Sequence, residues 1–133
     1  MSDLLLDTHA VIWLSRDPDQ LPSTLRRSID DAENVFASAV SLWEIAIKES
    51  GPSPMVGTHD ALEWFTSFLA TAGLTLLPIE LRHVGAVQHL PTHHGDPFDR
   101  LLIAQARVEQ LTIVSRDRQL SRYDVSVIWD EPE

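Results

Sequence analysis

Four acidic residues stand where they could build a pocket for a cation: Asp7, Glu44, Asp99 and Asp117. Asp7 directly follows the apolar run Leu4-Leu5-Leu6, and Asp117 closes Val114-Ser115-Arg116-Asp117 behind a second such run. Glu44 and Asp99 fall in the first turns of two predicted helices. Carboxylate oxygens are hard ligands and suit Mg²⁺ or Mn²⁺. Several of them around a partly hydrated ion can activate water and steady the leaving oxygen of a phosphodiester. Each acid also fits a plain structural role. Ser41-Leu42-Trp43-Glu44 has the form of a capping box. Asp96-Pro97-Phe98-Asp99 has an N-cap, a proline at N1 and a dipole-complementing acid at N3. Asp7 and Asp117 could each cap the helix that follows.

Whether the four acids meet depends on the elements that carry them. Leu4–Leu6, Val35–Ala37, Leu74–Leu77, Thr112–Val114 and Val125–Trp129 are predicted strands. Helices are expected from Ala10, over Leu21–Ala32, from Leu42 to about Glu49, over Ala61–Ala72, Glu80–His89 and Pro97–Leu111, with a helical turn at Asp117–Leu120. Strands separated by helices imply parallel pairing with right-handed crossovers and helices on both faces. The fold class is therefore α/β, a three-layer sandwich with a parallel sheet of four to five strands. If the first, second and fourth strands are neighbours, the acids converge beyond the carboxyl ends of the sheet, where such folds place their chemistry.

The bulk numbers set limits. A chain of 133 residues with 44% hydrophobic residues makes one domain that needs no covalent staples. The absence of cysteine excludes disulfides and thiolate metal sites and fits a reducing, cytoplasmic compartment. No apolar run reaches the roughly 20 residues of a membrane span, and the first residues lack the basic leader of a signal peptide. The formal charge of −10 runs against a protein that grips nucleic acid by its phosphates. It leaves two openings: acids gathered in a metal site, where bound cations reverse the local sign, or acids facing a basic partner.

Four blocks, in order, carry a resemblance. Leu4-Leu-Leu-Asp-Thr-His-Ala-Val-Ile-Trp13, Ser38-Ala-Val-Ser-Leu-Trp-Glu-Ile-Ala-Ile-Lys48, His94-Gly-Asp-Pro-Phe-Asp-Arg-Leu-Leu-Ile-Ala-Gln-Ala106 and Ile113-Val-Ser-Arg-Asp117 resemble those of PIN-domain proteins, and most nearly the VapC-type toxins of toxin–antitoxin pairs. The resemblance implies a single PIN domain over residues 1–133 and divalent-metal-dependent endoribonuclease activity leaving a 5′-phosphate and a 3′-hydroxyl. It also implies neutralisation by a VapB-type antitoxin. On these motifs the family's acids fall on Asp7, Glu44, Asp99 and, less constantly, Asp117. Asp96 is an outer acid or a cap, and Thr8 and Ser115 sit where the family often has supporting hydroxyls. Where many relatives carry a basic Gly-Lys-Leu-like stretch, this chain has Glu49-Ser-Gly-Pro-Ser-Pro54.

Lys48, one turn after Glu44, could contact a phosphate or pair with Glu44. Arg100 is a second phosphate candidate. His93, His94 and Asp96 invite a zinc reading, but adjacent loop residues diverge and no second His/Glu helical motif is present. Trp64 and Phe65 on the Ala61–Ala72 helix are expected to serve a homodimer or antitoxin contact. Two other classes remain open. A phosphoacceptor signalling domain would want a lysine near the last strand, and Lys48 is the only lysine. A PIN-like RNA- or protein-binding module with weak catalysis would not need all four acids.

Overall fold

The computed structural model describes residues 3–129. In chain order these form β1 (Leu4–Leu6), α1 (Thr8–Arg16), α2 (Ser23–Asp31), β2 (Val35–Ser38), α3 (Ala39–Glu49), α4 (Ala61–Ala72), β3 (Thr75–Leu77), α5 (Leu81–Val87), α6 (Pro97–Glu109), β4 (Thr112–Val114) and β5 (Val127–Ile128). Short 3-10 turns at Pro18–Gln20 and Arg118–Arg122 fill two of the connections.

The sheet order is β3-β2-β1-β4-β5 and every pairing is parallel. β1 is the centre, with Leu5 opposite Phe36 on one side and Ile113 on the other. Because side chains alternate along a strand, β1 feeds two cores. Leu4 and Leu6 pack with Val11 of α1, Leu25 of α2, Ile45 of α3 and Phe65 of α4. Leu5 packs with Leu102 and Ile103 of α6 and with Leu77 and Ile113. The result is helix, sheet, helix, the expected three layers.

Two boundaries differ from the sequence reading in ways that bear on the site. α3 begins at Ala39 rather than Leu42, because the Ser38 hydroxyl accepts from the Val40 amide at 2.9 Å and caps the helix. Glu44 therefore lies in the second turn, and a capping box with Ser41 is excluded. β5 is two residues long rather than five, because the Val125 amide turns back to the Tyr123 carbonyl at 2.8 Å. Gly73 ends α4 at a φ of +71°, a left-handed conformation that glycine adopts without steric cost.

The Phe65 side chain is fully buried among the residues beneath β1 and takes no part in a surface contact, against the sequence expectation. Trp64 is half-buried and stacks on Phe68. Apolar residues that do face solvent include Trp43 and Ile47, one turn apart on α3 and each about half exposed, at 45% and 50%, and Leu62 on α4. Among the described residues no helix is long and apolar enough to cross a membrane.

Candidate active site

The carboxyl ends of the central strands determine where each acid stands. The Asp7 amide donates to the Val114 carbonyl at 3.0 Å, which continues the ladder one residue past β1 and fixes the Asp7 backbone. Its Oδ1 accepts from the Ala10 amide at 2.8 Å, so Asp7 caps α1. The carboxyl group is buried. Burial pushes its pKa up, against the pull of the Ser115 hydroxyl, the Ala10 amide and His9, while Glu44 adds to the rise. A helix cap on the surface has no reason to be buried near other acids.

Glu44 is also buried, and projects from α3. Its Oε2 lies 2.6 Å from the Lys48 ammonium. Lys48 is half-exposed and its pKa is raised, chiefly by the hydrogen bond to Glu44, with Asp96 and Asp99 contributing through their charge. The lysine is thus paired within the pocket while its face stays open to solvent.

Asp99 enters from the first turn of α6. Asp96 caps that helix by accepting from the Asp99 amide at 3.0 Å. Burial, then the charges of Asp96, Asp7 and Glu44, raise the Asp99 carboxyl to about 7, with His94 working in the opposite direction. Asp7 at the start of α1, Glu44 in the second turn of α3, and Asp96 and Asp99 at the start of α6 each feel the charge of others in this group. The hydroxyls of Thr8 and Ser41 meet at 3.0 Å and tie the start of α1 to that of α3.

Asp117 stands apart from this group. It is exposed and caps the Arg118–Arg122 turn, accepting from the Gln119 amide at 2.9 Å. Its own amide donates to the Ser115 hydroxyl at 3.0 Å. It meets Asp7 across an open cleft of about 360 Å³ that His9, Trp13 and Arg116 also line. Asp117 is a rim residue, reached from solvent.

The oxygen-only donor set suits a hard divalent cation. Burial and the neighbouring acid charges both disfavour an ionised Asp99, and a bound cation would relieve both. The pocket acids do not converge within 4.8 Å of one another; among the described residues only Glu80, His83 and Glu109 do so. That trio is already satisfied, since Arg82 donates to both glutamates and buried His83 shares its Nε2 with Glu109 at 2.8 Å.

Arg100 is not free to meet a phosphate from this position. Its guanidinium donates to the carbonyls of Pro91, Val87 and Leu90 and to the Tyr123 hydroxyl. The Glu49-to-Pro54 departure has a structural use: the Glu49 carboxylate accepts from four successive amides, Met55 to Thr58, at 2.6–3.0 Å. The loop after α3 is folded onto an acid. Sequence reasoning passed over Tyr123 and the hydroxyl–imidazole contact it makes with His94 at 2.8 Å. The signal available was the His93-His94 pair, one residue short of Asp96.

Comparison with known proteins bears on the family and the fold. The PIN domain family model matches residues 4–126. Ribonuclease VapC22 of Mycobacterium tuberculosis is 27% identical over 122 residues, covering 90% of this chain and 91% of that protein. Among solved structures, VapBC2 from Rickettsia felis bound to a DNA fragment from its promoter superposes with a TM-score of 0.70 at 15% identity, over 96% of this chain and 99% of that one. VapBC from Salmonella typhimurium bound to DNA gives a TM-score of 0.69 at 16% identity, over 96% and 98%. The structural likenesses speak for the fold, and the family match covers nearly everything from β1 to the turn before β5: the chain belongs to the PIN domain family.

Proposed function

We propose that this protein is a metal-dependent endoribonuclease and the toxin of a toxin–antitoxin pair. The observation that carries the reading is the pocket in which buried Asp7 and Glu44 stand near Asp99, whose carboxyl is raised to about 7 by burial first and then by the charges of Asp96, Asp7 and Glu44. Such crowding costs stability and is expected where function requires it. The likeness to a VapC ribonuclease supports the same chemistry.

Asp7, Glu44 and Asp99 would hold a Mg²⁺ or Mn²⁺ ion, with Asp117 reaching it from the rim. When bound, such an ion supplies a more acidic water and charge stabilisation at the scissile phosphate. Hydrolysis would join a water oxygen to phosphorus and break the bond to the 3′ oxygen, which would take up the proton the water loses, giving a 5′-phosphate and a 3′-hydroxyl. Ser115 lies against Asp7 and accepts from the Asp117 amide, Thr8 ties α1 to α3 through Ser41, Asp96 holds the start of α6, and Lys48 limits the charge on Glu44. A polar cleft of about 490 Å³ adjoins the Asp7 side and is lined by Arg116, Arg118, Gln20 and Ser121 among others. It offers cationic and hydroxyl groups to an RNA backbone that would otherwise meet a chain of net charge −10.

The partner proposed is a VapB-type antitoxin whose arginine enters the acid pocket, since a guanidinium offers several donors and a permanent charge to carboxylates. A homodimer would use the exposed apolar face of α3. The cytoplasm, where RNA is found, is the compartment that fits. Incubation with single-stranded RNA tests the activity. Cleavage should require Mg²⁺ or Mn²⁺, stop in EDTA, and be lost in Asp7→Asn; cleavage by Asp7→Asn in EDTA would refute it.

A further inference from the structure

The loop before α6 holds a histidine whose ring orientation is determined by its neighbours. The Tyr123 oxygen accepts from the Arg100 guanidinium at 3.3 Å and from the His94 amide at 3.4 Å. With both of those donors pointing at the oxygen, the phenol proton has one acceptor left, the His94 Nδ1 at 2.8 Å. Nδ1 is therefore unprotonated and the ring proton is on Nε2. That Nε2 is buried, makes no hydrogen bond, and has the Asp99 carboxylate as its neighbour, with Oδ2 at 3.5 Å. The distance is a few tenths of an ångström beyond an ordinary N–H···O bond. Buried donors without acceptors are rare in native structures and call for an explanation. Tyr123 itself is buried, and the His93 ring packs edge-on against it at 4.8 Å, so the phenol cannot swing away.

We propose that His94 is a positioning residue for Asp99: Arg100 and Tyr123 hold its ring so that Nε2–H faces Oδ2 and leaves the other carboxylate oxygen to a cation. This rests on the reading of Asp99 as a cation ligand. An ionised Asp99 drawn toward a cation gains a donor for the oxygen it does not use, and the buried N–H gains its acceptor. Partners behind metal ligands act in this way: they fix orientation, and their loss typically lowers metal affinity by about 10- to 100-fold. Arg100, expected from the sequence to meet phosphate, instead sits at the far end of this chain of hydrogen bonds.

Mn²⁺ itself is the probe. The rise in melting temperature with added Mn²⁺ gives the half-saturating concentration without any need for activity, and RNA cleavage at saturating Mn²⁺ is measured beside it. His94→Ala should raise the half-saturating concentration by about tenfold while leaving cleavage at saturation within a few-fold of wild type. His94→Gln, which places an amide N–H near the Nε2 position, should recover most of the loss. Tyr123→Phe keeps the packing and removes only the hydroxyl, so it should weaken Mn²⁺ by about threefold and serves if His94→Ala does not fold. Asp99→Asn is the reference. If Asp99→Asn binds Mn²⁺ as wild type does, the metal-site reading fails and this inference with it. If Asp99→Asn loses Mn²⁺ but His94→Ala and Tyr123→Phe do not, or if Gln is no better than Ala at position 94, the positioning role alone is overturned.

Discussion

Lys48 Nζ lies 2.6 Å from Oε2 of Glu44, one turn along the same helix, and supplies a cation to a pocket otherwise made of acids. The pair is asymmetric: the glutamate is buried and the lysine side chain is 41% exposed. Lys48 thus offsets part of the pocket's charge without leaving solvent, which limits the pair's worth as a stabilising bridge.

Replacing that lysine separates its two effects. Lys48→Gln should lower stability in EDTA by about 1 kcal/mol, since a buried carboxylate loses its charged partner. In the same variant Mn²⁺ should bind more tightly, by about threefold, because a positive charge beside the cation is gone. The KM for RNA should rise. Differential melts with and without Mn²⁺ measure the first two effects. Weaker Mn²⁺ binding in Lys48→Gln would show that the lysine organises the pocket rather than competing with the ion.

The Asp99 carboxyl predicts a pH dependence of definite sign. Its folded-state value is about 7, above the unfolded value of about 3.9. The folded protein therefore binds more protons than the unfolded one between those limits. Asp99 contributes stability that is complete below about pH 4 and is lost as pH rises through 7. The groups facing it are Asp96, Asp7, Glu44, His94 and Lys48. Glu49, where desolvation is the largest single effect but four backbone amides together outweigh it and lower the carboxyl, contributes in the reverse sense, so total stability is not the measure. The difference between wild type and Asp99→Asn is. In EDTA the variant should gain on wild type between pH 5 and pH 8, by on the order of 1 kcal/mol. A difference that stays flat across that range would contradict the crowded pocket.

Burial separates the residues that hold the core from those free to meet a partner. Phe65→Ala should cost about 3–5 kcal/mol, as expected for a fully enclosed phenylalanine. Ile47→Asp on the outer face of α3 should change monomer stability by no more than about 0.5 kcal/mol. It should nonetheless weaken self-association or antitoxin binding, measured by sedimentation and by titration with the antitoxin. An Ile47→Asp protein that assembles as wild type would remove α3 from the partner surface.

How much of this was legible in the sequence follows from which forces acted locally. The central strands were plain because β1, β2 and β4 are buried on both faces and read as unbroken apolar runs. The start of α3 was not, because Ser38 and Ser41 are equally good caps and only the strand before them decides between the two. Glu44 was placed on the correct helix but in the wrong turn, which left a capping reading open that the structure closes. Asp96 was legible as a cap from Asp-Pro alone. The buried chain Ser38–Gln105–His83 was invisible, since its hydrogen bonds join residues 67 and 22 positions apart. Arg100 was misread for the same reason: its carbonyl partners come from the end of α5 and the loop after it, and nothing in the local pattern marks them.

The most direct test is a thermal melt of wild type and Asp99→Asn at neutral pH, each in EDTA and in millimolar Mn²⁺. In EDTA, Asp99→Asn should be at least as stable as wild type, because one of the mutually repelling carboxylates is gone. In Mn²⁺ the wild type should gain stability through ligand linkage and the variant should gain much less. If Asp99 is only a helix-terminal acid, its loss removes a favourable dipole interaction of roughly 0.3–1 kcal/mol. A variant destabilised in EDTA, beside a wild type whose melting is indifferent to Mn²⁺, would contradict the metal pocket.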